Sequence, residues 1–232
     1  MTLVRHDFAD RAGLASALAT AVAGDIDRAL IASGVAAIAV SGGTTPLRFF
    51  TELGRRRDID WTKVYVTLVD ERWVDETSER SNAALVNERM LQGPAAVAHF
   101  IPLYSGGQAP DAAALERTER QLATLPRHYA AVVLGMGNDG HTASFFPGGD
   151  TLSEAVNGEG PVVAIRAPGA GEPRITQVLR RLLDTDALYL HIEGEEKAAT
   201  LARALGEGPV EEMPVRAVLR QPLKPLEIYW AP

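Results

Sequence analysis

The feature that most constrains the fold is an alternation of short apolar runs with helical segments along the 232 residues. Two of these runs, Val35–Val40 and Val64–Val69, are rich in β-branched or small apolar residues and too short for buried helices. Further strands are predicted at 130–134, 161–166, 187–192, 215–219 and 227–230. Helices are predicted at 10–32, 47–57, 81–91, 111–125, 177–183 and 195–205.

This alternation predicts a single α/β domain over residues 1–232, with a Rossmann-like, mostly parallel sheet and helices on both faces. In such sheets ligands bind at the carboxyl ends of the strands, where the strand order reverses. The unusual polar loops of this sequence follow three predicted strands. We therefore expect the functional site at that edge of the sheet.

Composition excludes several classes of function. Acidic residues outnumber basic ones 30 to 23, and the net charge of −7 argues against a nucleic-acid or anionic-membrane partner. The absence of cysteine excludes disulfides, thiolate nucleophiles and cysteine-bound metals. Charges appear too early for a signal peptide, and the apolar stretches are shorter than a membrane span. These features predict a cytosolic protein.

The first polar loop is Ser41-Gly-Gly-Thr-Thr-Pro46. Its glycines allow close backbone approach, and its N–H groups lead into a predicted helix N-terminus, where an anion is favoured. A strand-to-helix turn without any ligand is the alternative interpretation. The loop lacks the lysine of a P-loop, so it does not indicate a nucleotide site.

The second polar loop begins with Asp70-Glu-Arg72, directly after an apolar strand. This position puts three charged residues at the mouth of the sheet. A surface salt bridge between Arg72 and a neighbouring acid is the alternative. Farther along, Ser81 is predicted to cap the next helix, with Asn82 beside it.

The third loop, 134–148 (LGMGNDGHTASFFPG), is the most informative. Its glycines match the dinucleotide pattern G-x-G-x-x-G, but Pro147 follows too soon for a full crossover helix, so we reject a dinucleotide site. Two residues apart in a tight turn, Asp139 could orient the imidazole of His141 and hold its reactive tautomer.

The remaining polar residues give weaker signals. No histidine pair has metal-ligand spacing, so the sequence predicts no metal site, and no G-x-S-x-G supports a serine nucleophile. His191, inside a predicted strand, is interpreted as a satisfied core histidine. Arg174 and Lys197 come from separate loops that could converge on a phosphate, although their spacing also fits ordinary surface cations.

Together these loops resemble the 6-phosphogluconolactonase family, in family order and over nearly the whole chain. The most specific block is 134–148; the others are Ser41–Pro46, Asp70–Arg72 with Ser81-Asn82, Pro173-Arg-Ile-Thr176 and Gly194-x-x-Lys197. The resemblance implies a fold shared with glucosamine-6-phosphate deaminases and ribose-5-phosphate isomerases. It also implies hydrolysis of 6-phosphogluconolactone to 6-phosphogluconate in the oxidative pentose phosphate pathway, without metal or cofactor.

The resemblance and the residues together suggest one mechanism. His141 is the general base, Asp139 orients it, and Arg72 stabilises the oxyanion or orients sugar hydroxyls. The catalytic candidates are His141, Asp139, Arg72 and Asp70. The candidates for binding substrate or phosphate are Gly42, Gly43, Thr44, Asn82, Gly137, Arg174 and Lys197. The expected partner is the phosphorylated lactone, and the chain is expected to be a monomer or weak homo-oligomer.

Two other functions are alternatives to lactone hydrolysis. A deaminase or isomerase of the same fold is disfavoured because Arg72 stands where deaminases tend to carry an aromatic residue. Thr142–Pro147 also departs from their Ile-Ala-Phe-Asn-Glu-Pro pattern and lacks its glutamate. A non-enzymatic sugar-phosphate sensor normally carries an added DNA-binding helix-turn-helix, and the predicted elements leave no segment for one.

Overall fold

Strands and helices alternate along residues 2–232, the part of the chain that the computed structural model describes. The strands are β1 (Leu3–Asp7), β2 (Ala36–Val40), β3 (Val64–Leu68), β4 (Asp70–Arg72), β5 (His99–Ile101), β6 (Tyr129–Leu134), β7 (Val162–Ile165), β8 (Arg174–Gln177), β9 (Thr185–Glu193) and β10 (Leu226–Ala231). The helices are α1 (Arg11–Ser33), α2 (Leu47–Gly54), α3 (Asn82–Arg89), α4 (Ala112–Leu122), α5 (Leu152–Asn157), α6 (Leu179–Leu182), α7 (Glu195–Leu205) and α8 (Val215–Arg220). Within these residues no helix combines the length and apolar character needed to cross a membrane.

A seven-stranded sheet in the order β1-β10-β9-β6-β2-β3-β5 forms the centre of the fold, and every neighbouring pair in it is parallel. All residues of β2 and β6 are buried. Because successive side chains of a strand point to opposite faces, both faces of the sheet are covered. The predicted α/β fold with a mostly parallel sheet is confirmed.

A second, antiparallel sheet of β4, β8 and β7 was not predicted. The segment 70–72 is predicted as a loop, but it forms β4. The strand predicted at 161–166 does form, as β7, but it joins the antiparallel sheet rather than the parallel one. The helix predicted at 177–183 was also too long, because Gln177 ends β8 and only residues 179–182 are helical. Three charged residues have no apolar alternation, so only their pairing with β8 defines β4 as a strand.

The strand predicted at 215–219 is wrong, because these residues form α8. Val215, Val218 and Leu219 are buried. Their spacing of three and four residues fits one face of a helix, and short apolar runs do not separate the two periods. The edge strands β1 and β5 were missed because their residues are mostly exposed or half-buried and lack an apolar pattern.

Buried polar contacts fasten the second sheet to the parallel one. The Gln177 side chain donates to the Leu68 carbonyl at 2.7 Å and accepts from the Tyr129 hydroxyl at 2.8 Å. Its backbone N–H donates to the carbonyl of Val69 at 2.9 Å. Since Val69 is the single residue between β3 and β4, these contacts determine where the second sheet lies.

We expect Gln177→Leu to lower the free energy of unfolding by about 2–4 kcal/mol, because it leaves the Tyr129 hydroxyl and the Leu68 carbonyl buried without partners. Urea denaturation followed by circular dichroism measures this change. Adding Tyr129→Phe removes one of the orphaned groups and is expected to restore part of the loss. Equal stability of Gln177→Leu and wild type would contradict the role of this contact.

Candidate active site

A cavity of about 460 Å³ opens where β2, β6 and β9 of the parallel sheet end and the second sheet begins. Every residue that the sequence predicts for the site lines it. These residues are Gly42, Gly43, Thr44, Asp70, Arg72, Asn82, Gly137, Asp139, His141, Arg174 and Lys197.

His141 and Asp139 form a hydrogen-bonded pair in the loop after β6. The distance from Nδ1 of His141 to Oδ1 of Asp139 is 2.6 Å, and the backbone N–H of His141 donates to the same oxygen at 3.1 Å. Burial alone would raise the pKa of Asp139, but the hydrogen bonds and charge of His141 lower it. An ionised carboxylate only accepts, so Nδ1 carries the proton and Nε2 is the basic nitrogen.

The loop can form this pair because residue 137 is a glycine. A Cβ at Gly137 would lie 2.2 Å from Nδ1 of His141 and 2.7 Å from Oδ1 of Asp139. The turn is closed by the N–H of Gly137, which donates to the carbonyl of His141 at 2.9 Å. The His141 imidazole therefore packs directly against the backbone of Gly137, which lines the cavity.

Asp70 is held by Ser144, a residue that no sequence pattern marks as part of the site. The Ser144 hydroxyl donates to Oδ2 of Asp70 at 2.5 Å, and both residues are buried. Ser144 follows Ala143, whose φ of 47° lies in the left-handed region that non-glycine residues seldom adopt. The 134–148 loop thus orients Asp70 as well as His141.

Arg72 and Arg174 are direct register partners across β4 and β8. Nη1 of Arg72 donates to Oδ1 of Asn82 at 2.9 Å, and Nη2 of Arg174 donates to the carbonyl of Ala170 at 2.9 Å. The Nε of each arginine is buried and has no hydrogen-bond partner within residues 2–232. Burial lowers the pKa of Arg174 while the charge of Asp70 raises it. The buried Nε–H group of each arginine is a free donor that suits the oxygens of a substrate.

Lys197 lines the cavity next to the Ser41–Pro46 loop. Its Nζ donates to the Thr45 hydroxyl at 3.0 Å, a contact that the sequence did not predict. Burial lowers the pKa of Lys197, whereas the charges of Glu193 and Glu196 raise it. The loop leads into α2, whose first turn has no side-chain cap. An ammonium group and the free N–H groups of a helix start together suit an anion.

Gly42 and Asn82 bring the first loop against the second sheet. A Cβ at Gly42 would lie 2.0 Å from Oδ1 of Asn82, so only glycine permits this approach. Asn82 follows the predicted cap Ser81, whose hydroxyl accepts from the N–H of Ala84. The Asn82 amide donates to the carbonyl of Asp70 at 3.0 Å.

The interpretation of His191 as a satisfied core histidine is only partly correct. The residue is 2% exposed, and its Nε2 lies 3.2 Å from Oε1 of Glu193. Its Nδ1 has no hydrogen-bond partner within residues 2–232, and the residue lines the cavity. No motif accompanies His191, so its place at the site follows only from β9 ending there.

The cavity thus combines an oriented base with cationic groups from β4, β8 and α7, a pattern suited to hydrolysis of an anionic ester. Phe146, also missed, lies with its ring centroid 4.5 Å from that of His141 and shields one side of the imidazole. Within residues 2–232 no group of three or more His, Asp or Glu side chains could hold a metal ion.

Comparison with known proteins places this geometry in a family. Residues 9–230 match the family described as glucosamine-6-phosphate isomerases/6-phosphogluconolactonase. A 6-phosphogluconolactonase of Rhizobium meliloti (strain 1021) is 48% identical, with 100% of both chains covered. One from Mesorhizobium japonicum is 47% identical, covering 97% of this chain and 94% of that protein.

A crystal structure of a 6-phosphogluconolactonase from Shewanella baltica OS155 superimposes with a TM-score of 0.96 at 38% identity. The match covers 100% of this chain and 98% of that one. The resemblance predicted from the loops is confirmed: the chain belongs to the glucosamine-6-phosphate isomerase/6-phosphogluconolactonase family.

Proposed function

We propose that this chain hydrolyses 6-phospho-D-glucono-1,5-lactone to 6-phosphogluconate in the oxidative pentose phosphate pathway. The observation that carries the proposal is the His141–Asp139 pair at 2.6 Å, in a cavity that the two arginines of β4 and β8 also line. The relatives named 6-phosphogluconolactonase support it over the whole chain. We further propose a single-domain, cytosolic enzyme that is a monomer or weak homo-oligomer.

The reaction begins when Nε2 of His141 takes a proton from water as the water oxygen attacks the lactone carbonyl carbon. Asp139 stabilises the imidazolium that forms. Arg72 and Arg174 present N–H donors for the negative charge that develops on the carbonyl oxygen. Breaking the bond between C1 and the ring oxygen then opens the lactone. His141 returns its proton to the ring oxygen, so this mechanism needs no metal or cofactor.

In this proposal the phosphate binds at the Ser41–Pro46 loop and Lys197. Lys197 supplies an ammonium group beside Thr45, and Gly43 and Thr44 lie in the loop that opens α2. An anchored phosphate holds the lactone by a part that does not react, so its binding energy can position the reacting carbon. Arg174 was predicted to bind the phosphate as well, but its pairing with Arg72 favours a place nearer the reacting end.

Deamination of glucosamine 6-phosphate is the less favoured function. The cavity holds Arg72 at the position where deaminases tend to carry an aromatic residue, and residue 146, at the glutamate of their pattern, is a phenylalanine. Release of ammonia from glucosamine 6-phosphate by the purified protein would reverse this preference.

His141→Ala is expected to lower kcat by about 10²–10⁴, the usual contribution of a general base. The measurement is formation of 6-phosphogluconate from freshly prepared lactone, corrected for spontaneous hydrolysis. His128→Ala is the matched control, because His128 also contacts two carboxylates, Asp184 and Asp186, but lies outside the cavity. Full turnover by His141→Ala would rule out the assigned base. A wild type no faster than the background would rule out the function itself.

Lys197→Met is expected to raise KM for the phosphorylated lactone about 10- to 100-fold with little change in kcat, since a hydrogen bond to a charged group contributes about 1.5–3 kcal/mol. Unphosphorylated gluconolactone lacks the group that Lys197 binds, so the variant should hydrolyse it as wild type does. Lys63→Met serves as control, because Lys63 is exposed and paired with Asp60. An equal loss with both lactones would contradict the phosphate role.

Gly137→Ala is expected to lower kcat/KM about 10- to 100-fold, because the new methyl group displaces the imidazole by about 1 Å or more. The control is Gly160→Ala, whose Cβ would meet nothing closer than a carbonyl at 3.8 Å. Steady-state kinetics and thermal unfolding are measured on both variants. Unchanged kcat/KM in Gly137→Ala would show that His141 does not depend on this glycine.

A further inference from the structure

Glu71 is a buried carboxylate beside the cavity that the proposed mechanism does not use. Its neighbours in β4, Asp70 and Arg72, line the cavity, whereas Glu71 is 0% exposed. Alternate residues of a strand point to opposite faces, so Glu71 points behind the site. A buried carboxylate is costly unless it is well paired, so its contacts require an explanation.

The Glu71 carboxylate accepts four hydrogen bonds, and all four partners are donors. Oε1 accepts from the N–H groups of Arg72 at 2.7 Å and Asn82 at 2.8 Å. Oε2 accepts from the N–H of Ala83 at 2.8 Å and from the Ser81 hydroxyl at 3.1 Å. Asn82 and Ala83 begin α3, where backbone N–H groups lack acceptors within the helix and negative charge is favoured.

The two residues bound by Oε1 are also the two whose side chains meet in the cavity. Nη1 of Arg72 donates to Oδ1 of Asn82 at 2.9 Å, and the Asn82 amide donates to the carbonyl of Asp70 at 3.0 Å. The backbone contacts to Glu71 and these side-chain contacts form a closed ring. Removing the Glu71 carboxylate therefore takes one hydrogen-bond acceptor from the backbones of both Arg72 and Asn82.

We propose that Glu71 is a positioning residue for lactone hydrolysis, one that acts through Arg72 and Asn82 by holding β4 and the start of α3 on a single carboxylate. This inference rests on the proposed function. Because every partner donates, the position requires a group that only accepts. Glutamine would turn an amide N–H₂ toward backbone N–H groups and lose at least one contact.

The ionised form of Glu71 is the one that can act in this way. Burial raises the pKa of Glu71 to about 7, although the N–H groups of Asn82, Ala83 and Arg72 lower it and the charge of Asp70 raises it further. Activity is therefore compared at about pH 8, where the carboxylate is ionised.

A double-mutant cycle tests the proposal. Glu71→Gln is expected to lower kcat/KM for the lactone about 10- to 100-fold in the wild-type background, as misplacing a catalytic group does. In the Arg72→Ala background the same change is expected to cost less than about 3-fold, because Arg72, the catalytic one of the two residues that Glu71 positions, is already gone. Equal fold-losses in the two backgrounds, or no loss in wild type, would overturn the proposal.

Glu88→Gln is the matched control. Glu88 is an exposed residue of α3, the helix whose start Glu71 holds; it is paired with Arg89 and lies outside the cavity. Its kcat/KM is expected to equal that of wild type. If Glu71→Gln does not fold, Glu71→Asp takes its place in the cycle. The aspartate keeps the charge but shortens the side chain by one methylene, and the same dependence on Arg72 is expected.

Amide hydrogen exchange separates this inference from the proposed reaction. In Glu71→Gln the backbone N–H groups of Arg72 and Asn82 are expected to exchange faster, while that of Val133 in the central sheet is unchanged. Unaltered exchange at both positions would refute the positioning role whatever the enzyme hydrolyses. Faster exchange together with a wild type that does not hydrolyse the lactone would refute only the reaction.

Discussion

The arrangement of the site depends on the backbone of Val69, where the chain leaves the parallel sheet and enters the second one. Its N–H donates to the carbonyl of Val40 at 3.0 Å, and its own carbonyl accepts from Gln177 at 2.9 Å. Buried backbone groups that lose their partners cost about 1–3 kcal/mol each, so the second sheet is confined to this place. Because β4 starts one residue later, Asp70 and Arg72 reach the cavity without an intervening flexible loop.

Much of the fold could be predicted from the sequence because the central strands are buried on both faces. Residues 35–40 and 130–134 read as continuous apolar runs for that reason. The second sheet could not be predicted, because the three charged residues of β4 become a strand only by pairing with a segment about a hundred positions away. The prediction for segment 215–219 failed for a different reason: its four apolar residues, Val215, Ala217, Val218 and Leu219, fit a short strand and a helix equally well.

The candidate site, like the fold, has one part that could be predicted from the sequence and one part that could not. Asp70, Asp139, His141 and Lys197 follow the ends of parallel strands, so their common place at one edge of the sheet follows from parallel topology. Arg174 reaches the same edge only because β8 pairs with β4. The contacts that orient them join distant positions, as Ser144 does with Asp70 and Lys197 with Thr45. Sequence patterns of neighbouring residues do not reveal contacts between positions so far apart. His191 also had no accompanying motif, and only the end of β9 places it at the cavity.

The close approach of Gly42 to Asn82 has a consequence for how this site can change over time. The Ser41–Pro46 loop and the start of α3 touch without room for a methyl group between them, so a substitution at Gly42 requires a compensating change at Asn82. A larger residue at 42 demands a smaller one at 82, and that exchange would also remove the amide that contacts Arg72 and Asp70. Positions 42 and 82 therefore have to change together, and a new substrate preference would have to arise from substitutions elsewhere on the cavity wall.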